Sequence, residues 1–219
     1  METRSDVAGS AESRINQTVA AYDAAAAEYQ ETWRKLRPLD AVRKFAALVG
    51  RGGRVLDVAC GPALDVRVLR DAGLKVVGGD RSHESMRLAR TLFPKGALAR
   101  WDYRHLPFGD GVFDGIWAPA ALHHMPRAQI RRTLAEWRRV HRQGPIFVTF
   151  REGADDLGAI QDPPAGTVWA TSITAEQLRA LLLDAGYQEV EVESRPDLGG
   201  ATDVTWLYGW GRLPDSSRD

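Results

Sequence analysis

Apolar and polar positions follow two periods in turn along this chain. Over residues 15–36, Ile15, Val19, Tyr22, Ala26, Tyr29, Trp33 and Leu36 recur every three or four residues, the spacing of one helical face. A second helix is predicted from Asp40 to Val49, begun near Pro38 and closed by Gly50. After Gly53, short β-rich runs alternate with amphipathic stretches. The predicted strands are Arg54–Val58, Lys75–Gly79, Ala97–Trp101, Phe113–Ala118, Pro145–Arg151, Gln188–Ser194 and Val204–Trp210. The predicted helices between them are Ala63–Ala72, His83–Phe93, Arg127–His141 and Thr174–Ala185. Such alternation predicts a parallel sheet covered on both faces. Residues 195–203 are too few for a helical crossover, so the last two strands are expected to pair antiparallel.

The expected architecture is an α/β three-layer sandwich: a seven-stranded, mostly parallel sheet whose last strand is antiparallel, plus an N-terminal helical cap. Residues 1–14 are small and polar and are expected to be a mobile tail, as is the final D-S-S-R-D. The cap covers 15–50 and the α/β domain 51–214, with 151–173 reading as a substrate loop or lid because it is long for a connection.

With 219 residues and 44% apolar content the chain can bury a sizeable core. Lys plus Arg equals Asp plus Glu at 29 each, so no overall field draws the chain to a polyanion. The basic run R-A-Q-I-R-R-T-L-A-E-W-R-R-V-H-R sets Ile130, Leu134, Trp137 and Val140 on one helical face, which makes its arginines a solvated face rather than a nucleic-acid surface. Cys60 can form no intrachain disulfide, and no apolar stretch approaches the roughly 18 residues that span a bilayer. The first residues lack the apolar core of a signal peptide, so the expected setting is cytoplasmic. The expected partner is a small molecule rather than a membrane or nucleic acid. Monomer and homodimer stay open.

The chemistry centres on R-V-L-D-V-A-C-G-P-A-L-D-V at 54–66, where a strand ends in an acid and turns at Gly61 into a helix. Gly61 admits close backbone approach, Pro62 suits the first helical turn, and the free N–H groups of that turn face whatever anionic group docks there. A dinucleotide site would want G-x-G-x-x-G; A-C-G-P-A-L does not supply it, which disfavours a nucleotide-dependent oxidoreductase.

V-L-D-V-A-C-G-P-A resembles the first motif of class I S-adenosylmethionine-dependent methyltransferases, with Ala59 and Ala63 where two of the motif's glycines sit. K-V-V-G-G-D-R-S, A-R-W-D-Y-R-H-L-P-F, F-D-G-I-W-A-P-A-A-L-H-H-M and R-V-H-R-Q-G-P-I-F-V-T-F follow in the family's order over about residues 53–151. The resemblance implies S-adenosylmethionine as cofactor and S-adenosylhomocysteine as product. It implies that Asp57 meets the cofactor's amino group, Asp80 its ribose hydroxyls and Asp102 its adenine amino group. Ala59, Gly61, Arg81, Tyr103 and Ala118 belong to the same motifs as cofactor-binding positions, and Tyr22 lies on the helix that closes over cofactor and substrate in small-molecule members.

His123 is the candidate general base, because a histidine titrates near neutrality. His124, Tyr29, Trp33, Arg151 and Trp169 are candidate substrate contacts. The adjacent histidines have no Cys, His or Glu at ligand spacing and make no metal site. D-P-P-A at 162–165 only superficially resembles the motif of base and amide N-methyltransferases, since that motif directly follows the fourth strand and carries an aromatic where Ala165 stands. The implied function is methyl transfer to an O, N or C centre of a small molecule. The alternatives are a non-catalytic or RNA-directed subunit and, less favoured, the oxidoreductase.

Overall fold

The strands with no polar alternation lie at the centre of the sheet. A computed structural model describes residues 4–214. In it β1 (Arg54–Asp57), β4 (Gly115–Ala118) and β5 (Gly144–Glu152) are buried along nearly their whole length, as strands covered on both faces must be. The other principal strands are β2 (Lys75–Asp80), β3 (Ala97–Arg100), β9 (Gln188–Pro196) and β10 (Thr205–Leu213), giving the order β3-β2-β1-β4-β5-β10-β9. β3, β2, β1, β4 and β5 run parallel, and β10 runs antiparallel to both β5 and β9. A two-residue strand, β8 (Ser172–Ile173), pairs with the end of β5, so the sheet has eight strands rather than the seven expected.

Helices α2 (Leu39–Val49), α3 (Leu64–Asp71) and α4 (His83–Leu92) cover one face through Val42, Phe45, Val66, Leu69 and Met86. Helices α5 (Arg127–Val140) and α6 (Ala175–Asp184) cover the other through Ile130, Leu134, Trp137, Leu178 and Leu182. Ser82 caps α4 by accepting from Ser85 N, and Thr174 and Gln177 form a capping box on α6. The arginines of α5 pair with neighbouring acids and carbonyls, Arg139 with Glu136 and Asp110, and Arg127 with Ser172 O. Among the described residues no helix is long and apolar enough to cross a membrane.

Three local expectations are corrected. Helix α1 spans Arg4–Trp33, so helix replaces most of the tail expected over 1–14; residues 1–3 and 215–219 of the expected tails lie outside the described residues. Polar groups with no apolar period hold this part of α1: Glu12 pairs with Arg104, Arg14 stacks over Trp169, and Asn16 accepts from Arg81. Second, α3 begins at Leu64, because Ala63 N donates to Cys60 O and Ala63 turns left-handed at φ 62°. Pro62 therefore sits in the turn and not in the first helical turn. Third, the segment after β5 is a hairpin, β6 (Gly158–Asp162) with β7 (Gly166–Ala170), packed against α1. Its strands alternate only weakly, and Ile160 faces Val168 across the pair.

An alanine in the left-handed region costs about 1 kcal/mol that glycine does not lose. Ala63→Gly is therefore expected to raise stability by about 1 kcal/mol and the midpoint by about 2–4 °C in thermal denaturation.

The docking of α1 is expected to weaken in acid. Hydrogen bonding from Arg104 holds the Glu12 carboxyl below its ordinary range. For Asp102 burial opposes the charge, and the hydrogen bonds of Arg104 outweigh it, so this carboxyl is also held low. The stabilisation is complete above the ordinary carboxyl range near pH 4 and is lost as pH falls through the lower folded-state values. Wild type should melt above Glu12→Gln at pH 7, and the two midpoints should converge as pH is lowered below about 4.

Candidate active site

Strand order reverses at β1, which has β2 on one side and β4 on the other. A cavity of about 240 Å³ opens beyond the carboxyl ends of these strands, where an open α/β sheet binds ligands. At one end its wall is the turn Ala59–Gly61–Pro62 with Asp80 at the end of β2. Asp80 Oδ2 accepts from Gly61 N at 2.9 Å and Oδ1 from Ser82 N at 2.8 Å. Burial raises the Asp80 carboxyl above its ordinary value while these backbone donors work to lower it. A carboxylate offers about four lone-pair sites, more than these backbone donors fill, so Asp80 keeps capacity to accept from a ligand.

Two further acids crowd this turn. Asp57 is buried beneath the cavity, and its Oδ1 has no hydrogen-bond partner. Asp65, in the first turn of α3, lies on the cavity wall; its Oδ2 accepts from Trp117 Nε1 at 3.0 Å, and its buried Oδ1 is unpartnered. Burial raises both carboxyls; Asp65 and Asp80 push Asp57 up further, whereas Trp117 and then Arg37 pull Asp65 down. A cluster of this kind suits a cationic ligand group.

Aromatic side chains also line the cavity: Tyr22, Tyr29 and Trp33 from α1, and Trp206 and Tyr208 from β10. The short 3₁₀ turn Leu122–His124 after β4 brings His123 and His124 to the wall. His123 is 2% exposed, its Nδ1 has no partner, and burial, then His124 and Arg151, hold it well below its ordinary pKa. His124 is better connected. Its Nδ1 lies 2.9 Å from Trp169 O and its Nε2 3.0 Å from the Tyr22 hydroxyl, which donates to Asp162 at the end of β6.

The structure therefore gathers Ala59, Gly61, Asp80, Tyr103, Tyr22, Tyr29, Trp33, His123 and His124 at one cavity. The other expected residues lie off its wall. Ala118 is buried within β4, and Asp57 lies below the turn. Arg81 and Asp102 belong to the ion cluster with Glu12 and Arg104 that docks α1. Arg151 stands opposite Trp206 in the β5–β10 ladder. Trp169 turns its ring to Arg14 and donates Nε1 to Gln17.

Asp65, Asp162, Trp206 and Tyr208 were not anticipated from sequence. Trp206, Tyr208 and Trp210 do share a face by their spacing of two, but nothing local ties that face to a cavity. Asp162 meets Tyr22 across 140 positions of chain and has no local signal.

Residues 55–144 match the family model described as a methyltransferase domain. An uncharacterized methyltransferase of Synechocystis sp. is 33% identical over 99 residues, 45% of this chain and 47% of the relative. The 27-O-demethylrifamycin SV methyltransferase of Amycolatopsis mediterranei is 27% identical over 173 residues, 71% of this chain and 60% of the relative. This chain thus spans less than two thirds of either relative's length. The crystal structure of Burkholderia thailandensis 1,6-didemethyltoxoflavin-N1-methyltransferase, with bound 1,6-didemethyltoxoflavin and S-adenosylhomocysteine, superimposes with a TM-score of 0.73 at 19% identity, covering 94% of this chain and 91% of that one. The structural match shows a Rossmann-like fold, with strand order reversing at β1, and residues 55–144 are similar to a methyltransferase domain.

Proposed function

We propose that this protein binds S-adenosylmethionine at the Gly61 turn and transfers its methyl group to a small-molecule acceptor held against α1 and the β6–β7 hairpin. The observation that carries the reading is the convergence of Asp57, Asp65 and Asp80 on the turn at the strand reversal, with buried oxygens of Asp57 and Asp65 unpartnered. Those oxygens suit an ammonium group, and the remaining accepting capacity of Asp80 suits a ribose diol. Asp65, which reaches the wall, is the nearer partner for the ammonium, and Asp57 acts from beneath it. Tyr103 is the third-strand residue at the wall, while Asp102 positions Arg104 and α1.

When bound, the cofactor supplies a methyl group made electrophilic by its sulfonium. What the protein adds is alignment and exclusion of water. Tyr29, Trp33, Trp206 and Tyr208 provide a dry, aromatic enclosure for an acceptor. Residues 151–173 act as a lid: Asp162 meets Tyr22, and Trp169 N donates to Thr18 Oγ1, so the hairpin closes onto α1. The demethylrifamycin and didemethyltoxoflavin enzymes act on small molecules by name, which supports the same acceptor class here. The unpaired Cys60 thiol suits a reducing, cytoplasmic setting.

Calorimetry is expected to show saturable binding of S-adenosylhomocysteine and none of NAD or NADP; the reverse would sink the reading. At 100 times its dissociation constant the ligand should stabilise the fold by about 2.7 kcal/mol. Charge-assisted hydrogen bonds contribute roughly 1.5–3 kcal/mol each, so Asp80→Ala should weaken S-adenosylhomocysteine on the order of a hundredfold or more. A folded Asp80→Ala protein that binds it like the parent would leave Asp80 only its part in the two turns.

A further inference from the structure

We propose that Asp162, Tyr22 and His124 form a relay that takes the acceptor's proton, so that the group methylated is an O–H or N–H on a planar ring. This rests on the methyltransfer reading above.

The argument is a count of protons. Trp169 O can only accept, so His124 Nδ1 carries a hydrogen. Tyr22 has one hydroxyl hydrogen, and it goes to Asp162. The contact between Tyr22 and His124 Nε2 then has a hydrogen only if His124 is an imidazolium. Burial works against that charge and holds His124 below its ordinary pKa, with Arg151 acting the same way and the Trp169 carbonyl and Asp162 opposing. Its other neighbours are the His123 ring at 3.8 Å and Tyr22, which itself packs on Tyr29. Burial and then Asp162 keep the Tyr22 hydroxyl protonated. At rest, three contacts share two protons, and the vacancy lies between Tyr22 and His124.

The vacancy faces the right place. Tyr22, His124 and Asp162 all lie on the cavity wall, and Tyr22 packs on the neighbouring Tyr29 ring. His123 lacks this property, since its Nδ1 has no partner to which a proton could pass. In the step, a lone pair on the acceptor's O or N forms the bond to the methyl carbon, and the methyl–sulfur pair stays on sulfur. The O–H or N–H bond breaks with its pair left on the acceptor. Its proton goes to the Tyr22 oxygen as the Tyr22 hydrogen turns from Asp162 to His124 Nε2, and the newly arrived hydrogen takes its place in the hydrogen bond to Asp162. The charge lost by the sulfonium reappears as an imidazolium that donates to Tyr22 and to Trp169 O.

The test combines S-adenosylhomocysteine calorimetry, ¹⁵N-histidine NMR and methyl transfer from S-adenosylmethionine to 4-substituted phenols and to indoles. Wild type should show His124 protonated at Nδ1 alone near pH 7.5, and should methylate at least one ring O–H or N–H. Tyr22→Phe should bind S-adenosylhomocysteine within about threefold of wild type yet lose about a hundredfold or more in kcat on weakly acidic phenols. That loss should shrink below about tenfold on 4-nitrophenol, which ionises without help. Asp162→Asn still accepts from Tyr22 without its charge and should show the same trend, more weakly. An equal loss across the phenols would overturn the relay in favour of positioning alone. Wild type that binds S-adenosylhomocysteine but methylates none of the panel would overturn the acceptor class. Wild type that binds no S-adenosylhomocysteine would overturn the underlying methyltransfer reading and the relay with it.

Discussion

The Asp80 carboxylate is the interaction on which the cavity depends. Its two oxygens tie the turn after β1, through Gly61 N, to the turn after β2, through Ser82 N. Parallel strands leave such turns without the hydrogen-bonded partner that a hairpin provides, so a side chain must set their separation. Glycines let the strands come close enough for this. A Cβ at Gly79 would lie 2.4 Å from the Trp101 ring, whose Nε1 donates to Val58 O at 2.9 Å and closes the same end of the sheet. The placement has an electrostatic cost, because burial works against the charge on Asp80, and the backbone donors only partly offset it.

From Asp80 one line of hydrogen bonds reaches the far wall. Ser82, set by Asp80, accepts from Ser85 N and donates its hydroxyl to Asp23, which also accepts from Glu84 N. Asp23 thus fixes α1 on the amino end of α4. The preceding residue, Tyr22, carries its hydroxyl to His124 and Asp162 and so fixes the hairpin on α1. The residues proposed to hold the ribose and those proposed to take the acceptor's proton are parts of one connected framework. A ligand that moved the Gly61 turn would be felt at the β6–β7 hairpin through specific bonds rather than through general looseness.

The fold was largely legible because its signals are local. Alternation of period and the short connection between the last two strands predicted the parallel sheet and the antiparallel β10. Motif order put Gly61, Asp80 and Tyr103 on one cavity wall. What escaped depends on contacts between distant segments. The stretch of α1 around Glu12 and Arg14 has no apolar period and is held by Arg104 and Trp169. The β6–β7 hairpin is half polar and gains its order from α1. His123 and His124 are equal in sequence, and they differ only because Tyr22 and the Trp169 carbonyl converge on one of them. The departures at Ala59 and Ala63 were visible, but not their consequence, which is a left-handed alanine that moves the start of α3 past Pro62.

Unfavourable features concentrate at this cavity. Of the four non-glycine residues with positive φ among those described, Ala120 lines it, and Ala63 is buried between Pro62 and Leu64, which line it. Unpartnered buried oxygens of Asp57 and Asp65 lie there too. The two apolar layers supply the stability that lets them persist, with Trp117 stacked on Phe147 at 4.4 Å behind the turn and Trp137 buried behind Tyr103. The same features give a ligand its leverage. A cation set between the acids removes a repulsion that the free protein must carry, so part of its binding energy comes from relief of that repulsion and appears as a gain in the stability of the whole fold. On the methyltransfer reading that leverage also favours release. The sulfonium's charge leaves the bound cofactor with the methyl group, and the acids then face a thioether whose ammonium is the remaining cation.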